Sequence, residues 1–450
     1  MIIMKFGGTS VRNREAIQRV IGIVKGRLPQ KPVVVVSALA GVTRLLCTMA
    51  EEAGMQHRDN VDGLLSDLRS RHEDLVKELV GENEEISASC LARIDEIIDS
   101  LRDFVNGICM IGELSPRSYA SIVSTGEVLS STIVSAAMNA FGISCRLADA
   151  RKMIVTDCNY MAARPDLEAS AMNIRRTMSV EAKGVSVVLT QGFIASSVEG
   201  SVSVLGFEGS DFSAAIFGMA LGVDKVEIWT DVDGIRSADQ RLVPDTVRIS
   251  KVSYDEASEM AFLGARVLHP LTVEPARRSN IPVVVLNSMN PDCPGTEVTL
   301  EGGGLGPKSV AVRDDVAFFR IASRRPVGLT SIMSEVYRAA SESRLNVLLT
   351  AGSESEVTLT AVYAEGICER FVSLLEERFD VSVFRDKAQI SVIGEGVAVS
   401  PRVAEALLKS ESTVRMTVQS PSLRSSSIVV DKEDIPIAMT RIHSAVFGKK

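Results

Sequence analysis

The sequence predicts a layered α/β domain followed by two small α+β units. Over the first 300 residues, short β-branched runs alternate with amphipathic stretches, the pattern of helices layered on a largely parallel sheet. A glycine-rich break, "EGGGLGPK" at 301–308, ends that pattern. Beyond it the order strand–helix–strand–strand–helix occurs twice, a repeat of pattern and not of letters.

Strands in the first part are expected at 2–6, 32–37, 185–190, 201–205, 226–230 and 281–286. Runs such as "PVVVVSA" and "SVVLTQGF" are apolar almost throughout, which suits strands covered on both faces. Helices are expected at 14–25, 210–221 and 254–263. The helix-periodic stretch from about 60 to 107 ("VDGLLSDLRSRHEDLVKELV") reads as a helical insertion on the sheet's edge, more scaffold than chemistry. After the break, "VAFFRIAS", a helix to about 344, "NVLLTAGS", "EVTLTAVYAE" and "CERFVSLLEERF" form the first α+β unit. "AQISVIGEG", "SPRVAEALLKS", "VRMTVQS", "SSIVVDKED" and "IPIAMTRIHSAVF" form the second. The division expected is 1–300, a linker at 301–308, and 309–450.

The chain has 450 residues, 46% hydrophobic and 24% charged, enough for large cores. A net charge of −8 without a basic block argues against a nucleic-acid partner. No apolar run of about 18 residues stands out, so no membrane partner is expected. "MIIMKFGG" enters strand-like sequence at once, unlike a signal peptide. Seven scattered cysteines form no C-x-x-C pair. They suggest small buried residues in a reducing, cytoplasmic setting, with no protein-bound metal.

The sharpest motif is "MKFGGTSV". A strand delivers Lys5, Gly7 and Gly8 let a ligand approach the backbone, and Thr9 and Ser10 open a helix. A lysine at such a turn can offset charge on phosphate oxygens; an ordinary tight turn with a snorkelling lysine fits the motif alone equally well. In "VLGFEGSDFSAA" a strand runs through a glycine-bracketed turn into a helix, a second place where unpaired helix amides face a phosphate. Yet Phe207 and Glu208 sit at its centre. His57, His72 and His443 have no motif context, and His269 reads as structural.

Further stretches follow in order: Ser37 and Thr43 in "VVVVSALAGVTRLL", Glu127 in "STGEVLSS", Thr230 and Asp231 in "EIWTDVDGI", and "EMAFLGARVLHP". Together the set resembles the aspartokinases of the amino-acid kinase superfamily over the full length, the C-terminal pair resembling tandem ACT units. The resemblance implies ATP-dependent phosphoryl transfer, with Mg²⁺ screening the triphosphate. By position it makes Lys5 the phosphate-stabilising lysine, and Gly7, Gly8, Thr9, Gly209 and Ser210 the phosphate turns. Asp211 organises the transferring group. Ser37, Thr43 and Glu127 hold the amino acid, Glu127 facing its ammonium. Thr230, Asp231, Arg236, Arg241 and Arg266 line the ATP pocket. It also implies a homodimer and an amino-acid effector at the ACT pair. Residues 328–334 and 345–355 spell no recognisable lysine or threonine pocket, so weak or absent feedback is expected.

The chain departs from the family where aspartokinases read G-R-G-G-S-D. Phe207 replaces the carboxylate-clamping arginine and Glu208 the next glycine, a local charge change of about −2 if both side chains face the pocket. Losing the cationic partner of a buried carboxylate costs roughly 2–5 kcal/mol. The expected acceptor is therefore the neutral hydroxyl of homoserine, with Glu208 or Asp211 as general base. The alternatives are aspartate, with Arg117, Arg164 or Arg236 taking over the clamp, and an inactive amino-acid-sensing paralogue. Two milder departures, Arg236 for a tyrosine and Arg266 for a lysine, keep or add positive charge beside ATP.

Overall fold

The computed structural model describes residues 1–206, 208–265, 268, 270–325 and 328–448, without the side chains of residues 270 and 271. Phe207, Arg266 and His269 lie outside the described residues. By packing, the chain divides into Met1–Ile235 with His269–Leu300, and Arg236–Leu268 with Glu301–Lys450. Residues 236–268 thus belong with the C-terminal part, where the sequence suggests one cut near 300.

The first unit opens with β1 (Ile2–Phe6), α1 (Arg14–Arg27), β2 (Pro32–Val36), α2 (Val42–Gly54), α3 (Arg58–Val80) and α4 (Glu84–Ile111). It continues through α5 (Pro116–Val123), α6 (Thr125–Ala140), β3 (Cys145–Ala148), β4 (Val155–Thr156), α7 (Leu167–Glu181) and β5 (Val187–Gln191). Then come β6 (Ile194–Ser197), β7 (Val202–Val204), α8 (Gly209–Leu221) and β8 (Lys225–Thr230). The chain passes through β9 (Lys251–Ser253) and α9 (Tyr254–Phe262) of the second unit, and returns with α10 (Pro270–Arg278), β10 (Val283–Asn287) and β11 (Thr296–Thr299).

The main sheet of this unit has the order β3-β5-β2-β1-β8-β10-β11, parallel except where β11 runs back along β10. On one face Met4, Phe6, Val34 and Val36 join α1, α2 and α6 in a large core. Phe6 stacks on Trp229 with ring centroids 5.9 Å apart, an offset pair worth roughly 0.5–1.5 kcal/mol beyond area burial. On the other face α8 packs on β1 and β8, and α7 and α10 pack on α8. Burial on both faces is why these strands are apolar almost throughout.

The predicted strand at 201–205 is found as β7, which pairs with β6 in a small sheet of order β4-β6-β7 apart from the main sheet. One expectation is corrected here. The helical insertion does not ride the sheet's edge. Leu65 and Leu68 of α3 and Ile94 and Ile98 of α4 join the main core, packed over α2 and α6. Residues Pro116–Ala140 have the length and apolarity of a membrane span, unlike the sequence expectation, but are mostly buried inside the protein.

The second unit adds β12 (Ser309–Ser323), α11 (Leu329–Ser343), β13 (Val347–Gly352), β14 (Glu356–Val362), α12 (Glu365–Ser373) and β15 (Phe379–Ile393). It ends with α13 (Pro401–Leu408), β16 (Met416–Gln419), β17 (Ser425–Asp431) and α14 (Ile435–Phe447). The two repeats share one antiparallel sheet of order β13-β14-β12-β15-β17-β16. Long strands make this possible: Lys387–Ile393 of β15 pairs with β17, while its earlier half pairs only with β12. Each repeat keeps its own core, one around Phe319 and Phe371, the other around Ile390, Val430 and Met439. The glycine-rich stretch is anchored at particular points: a methyl added at Gly302 would lie 2.6 Å from Glu256 Oε2, and Lys308 Nζ donates to the Gly303 carbonyl at 3.0 Å.

Candidate active site

In an open parallel sheet, ligands gather outside the carboxyl ends of the strands, where the connections change direction. Here that point is β1, flanked by β2 and β8, with Phe6 beside Val36 and Trp229. Lys5, one residue before the end of β1, faces the α8 side. Its Nζ lies 2.6 Å from Asp211 Oδ1, both side chains about nine-tenths buried. The contact is ionic rather than a directed hydrogen bond, since Oδ1 has no hydrogen-bond partner of good geometry. Asp211 lies in the first turn of α8, where the helix dipole also favours a carboxylate.

The backbone after Lys5 is held close. Gly7 N–H donates to the Trp229 carbonyl at 3.2 Å. A methyl on Gly8 would lie 2.8 Å from the Ala38 carbonyl, so only glycine fits. Thr9 and Ser10 form a single 3₁₀ turn, Gly8–Val11, and not the α-helix start expected; α1 begins at Arg14, capped by Asn13. Thr9 is half-buried, and Ser10 is buried against Ser288 with their hydroxyls 2.8 Å apart.

The two loops assigned to acceptor and phosphate meet directly. Ser37 Oγ donates to Ser210 Oγ at 3.0 Å, and Ser130 Oγ to the Ser37 carbonyl at 2.7 Å. Thr43 lies half-buried in the first turn of α2, behind Gly41. Arg71 of α3 donates to the Ala40 carbonyl at 2.7 Å, so the helical insertion steadies this loop, a contact that sequence spacing did not suggest. Glu127, in the first turn of α6, is 3% exposed. Its Oε1 accepts from Ala38 N–H at 3.2 Å and its Oε2 has no partner. Burial pushes this carboxyl up to about 8.

Glu208 precedes α8 with φ +53°, in the left-handed region, where glycine is favoured. Its carbonyl accepts from Asp211 and Phe212 N–H. Gly209 begins α8. The sequence reading missed Gly192 and Phe193, which follow β5: a methyl on Gly192 would lie 2.6 Å from Ser210 Cβ, and Phe193 N–H donates to Ser213 Oγ at 2.9 Å. The only local signal is a glycine at the end of an apolar run, in "TQGF".

Thr230 ends β8 beside Asn287, and its Oγ1 donates to Asp231 Oδ1 at 3.2 Å. Asp233, missed in sequence, accepts from Asn287 Nδ2 at 2.7 Å. Arg236 and Arg241 fall in the second unit and have partners there. Arg236 donates to Thr246 Oγ1 and to its carbonyl, both at 2.6 Å. Arg241 pairs with Asp239. Lys5, Gly8, Ser37, Thr43, Glu127, Glu208, Gly209, Ser210, Asp211 and Thr230 are thus among the predicted residues on the first unit's strand ends and helix starts, while Arg236 and Arg241 are not.

Two glycine-bearing turns, a lysine and an aspartate meet at these strand ends, and the model of the amino acid kinase family matches residues 1–287. The relatives include Aspartokinase 3, chloroplastic, of Arabidopsis thaliana, 30% identical over 464 residues, covering 99% of this chain and 81% of the relative. A bifunctional aspartokinase/homoserine dehydrogenase of Haemophilus influenzae is 29% identical, and the chain spans 57% of it. The chain spans 51% of a second such enzyme, from Zea mays. Crystal structures of E. coli aspartokinase III match over 99% of this chain at 28% identity: the complex with lysine and aspartate (T-state) at TM-score 0.84, covering 99% of that chain, and the complex with aspartate and ADP (R-state) at 0.83, covering all of it. The chain belongs to the amino acid kinase family and, within it, to the aspartokinases. These relatives carry aspartokinase names, and none of them supports homoserine as acceptor.

Proposed function

We propose that the chain transfers the γ-phosphoryl group of ATP to the side-chain carboxylate of aspartate. A carboxylate oxygen bonds to the γ-phosphorus, the bond to the bridging oxygen breaks, and ADP leaves with 4-phosphoaspartate as product. The carboxylate needs no deprotonation, so the reaction needs placement and charge compensation. The observation that carries this reading is Lys5 paired with Asp211 while Ser37 touches Ser210, which puts acceptor loop and phosphate turn in one place. In this reading Lys5 moves to γ-phosphate oxygens as charge shifts, Ser210 and Gly8 guide the phosphates, and Glu127 holds the ammonium. The E. coli complex with aspartate and ADP supports it by likeness.

Mg²⁺ would enter on the triphosphate and screen its charge. Among the described residues no cluster of three or more His, Cys, Asp or Glu side chains could cage a metal. That suits an ion held mainly by phosphate and water oxygens, with Asp211 the nearby carboxylate. The second unit, in this reading, takes an amino-acid effector and forms a homodimer contact.

The homoserine reading keeps one observation in its favour, the Phe207–Glu208 pair. The decisive test is ADP release from purified protein with Mg-ATP and either aspartate or homoserine. A higher kcat/KM for aspartate is the expected result; preference for homoserine would overturn the assignment of acceptor.

A further inference from the structure

Gln191, the last residue of β5, is 2% exposed, and both ends of its side-chain amide are used. Its Oε1 accepts from Ala150 N–H and its Nε2 donates to Ser131 Oγ, both at 2.9 Å. Only the amide oxygen can accept from a backbone N–H, so Nε2 must face Ser131. The Ser131 hydroxyl in turn donates to the Val128 carbonyl at 3.0 Å. Ser130 and Ser131 lie three and four residues after Glu127 in α6, which places all three on one helix face. That face is buried throughout. Glu127 and Ser130 bond the acceptor loop, at Ala38 N–H and the Ser37 carbonyl, whereas Ser131 bonds β5. The residue after Gln191 is Gly192, whose N–H donates to the Val36 carbonyl at 2.9 Å and whose backbone lies against Ser210.

We propose that Gln191 is a positioning residue for the phosphoryl acceptor: it ties the α6 face that carries Glu127 to the strand end that runs on into Gly192, and so sets where the acceptor's ammonium sits relative to the Ser210 turn. The inference rests on the kinase reading and on Glu127 holding the ammonium. α6 and the acceptor loop are bonded to each other, so without Gln191 they can shift together, restrained at the Ser210 turn by the Ser37–Ser210 hydroxyl contact. Cutting the tie also leaves the Ala150 N–H and the Ser131 hydroxyl short of a partner in a buried place, which favours such a shift. Transfer falls steeply when the reacting groups are misplaced, so the loss reads in turnover of the acceptor. Lys5 and Gly7 are held by other groups, Asp211 and the Trp229 carbonyl, so nucleotide binding is spared.

The test uses the full chain with Ser131→Ala, Gln191→Met and the two combined. Ser131→Ala is expected to lower kcat/KM for aspartate roughly 3- to 10-fold and Gln191→Met, which cuts both amide bonds, roughly 5- to 30-fold, each with KM for ATP unchanged. The double variant should be no worse than Gln191→Met, because the two changes cut the same bond. Losses that multiply in the double variant would overturn the proposal, as would an unchanged kcat/KM in folded Gln191→Met. Parallel rises in KM for aspartate and for ATP would also overturn it, since they mean a general loss of structure. If Gln191→Met does not fold, Ser131→Ala, which removes one oxygen, decides on the same two substrates. Should the wild type prefer homoserine, the same ratios are read with homoserine, which brings the same ammonium. A wild type that consumes no ATP with either acceptor removes the kinase reading itself; a wild type that turns over beside unaffected variants removes only this proposal.

Discussion

Lys5 Nζ stands 2.6 Å from Asp211 Oδ1 across two chain segments more than 200 residues apart, and this contact joins the strand before Gly7–Gly8 to the helix that begins at Gly209. With both side chains about nine-tenths buried, each neutralises a charge that would otherwise be desolvated alone.

Catalysis and stability should therefore separate at this pair. Lys5→Met is expected to lower kcat by about 10²–10³-fold and also to lower the melting temperature, because Asp211 is left uncompensated. Lys5→Met combined with Asp211→Asn should recover the melting temperature and no activity. Denaturation and steady-state assays on the three proteins check this; recovered activity in the double variant would remove the catalytic role of the lysine.

Glu127 should make aspartate binding proton-linked. Its folded-state carboxyl is raised to about 8 from 4.5, so it contributes stability below pH 4.5 that is lost as pH rises towards 8. An ammonium placed against it favours the carboxylate, so binding near pH 7 should release close to one proton, with affinity increasing up to about pH 8. Calorimetry at pH 7 in buffers of different ionisation enthalpy measures this directly. Glu127→Gln should abolish the proton release and weaken binding; an unchanged release would assign the proton elsewhere.

Position 208 tests strain against use. A glutamate at φ +53° is less favourable than glycine there, by about 1 kcal/mol. Glu208→Gly should raise the melting temperature by roughly 2–4 °C. If aspartate is the acceptor, turnover should hold or improve. A fall in homoserine turnover alone would restore Glu208 as a base.

The cation replacing the family arginine should be Arg164. Arg236 is held by Thr246 in the second unit. Arg164 follows Ala163, whose N–H donates to the Val204 carbonyl at 2.9 Å, and a methyl on Gly206 would lie 3.4 Å from Ala162 Cβ. Its loop thus lies beside the turn where the family arginine is missing. Arg164→Ala should raise KM for aspartate by about 30-fold or more and leave KM for ATP unchanged. A stronger effect from Arg117→Ala would move the assignment to α5.

The parts of the site legible in sequence are those whose reason is local. Lys5 sits at a strand's end and Gly8 just after it, Ser210 and Asp211 open a helix, and Glu127 sits in a helix's first turn, so adjacent letters suffice. Gly192 was not legible as a site residue because what excludes a side chain there is Ser210, on another element. The excursion at 236–268 was equally hidden. "EIWTDVDGI" runs into it without a change of composition, and its partners Val310 and His443 come much later in the chain. The two repeats were visible, but not their common sheet, because a strand that serves two repeats reads like two strands in succession.

That excursion has a consequence during synthesis. Ala238 and Val243 leave the ribosome well before Met439 and Ile442, which belong to the same core. At cellular rates of about 5–20 residues per second, the gap is on the order of 10 to 40 s. For that interval a stretch with apolar side chains waits, while the strands on either side of it, β8 and β10, are to become neighbours in the first unit's sheet. The core of the nascent second unit is thus completed only once α14 has emerged.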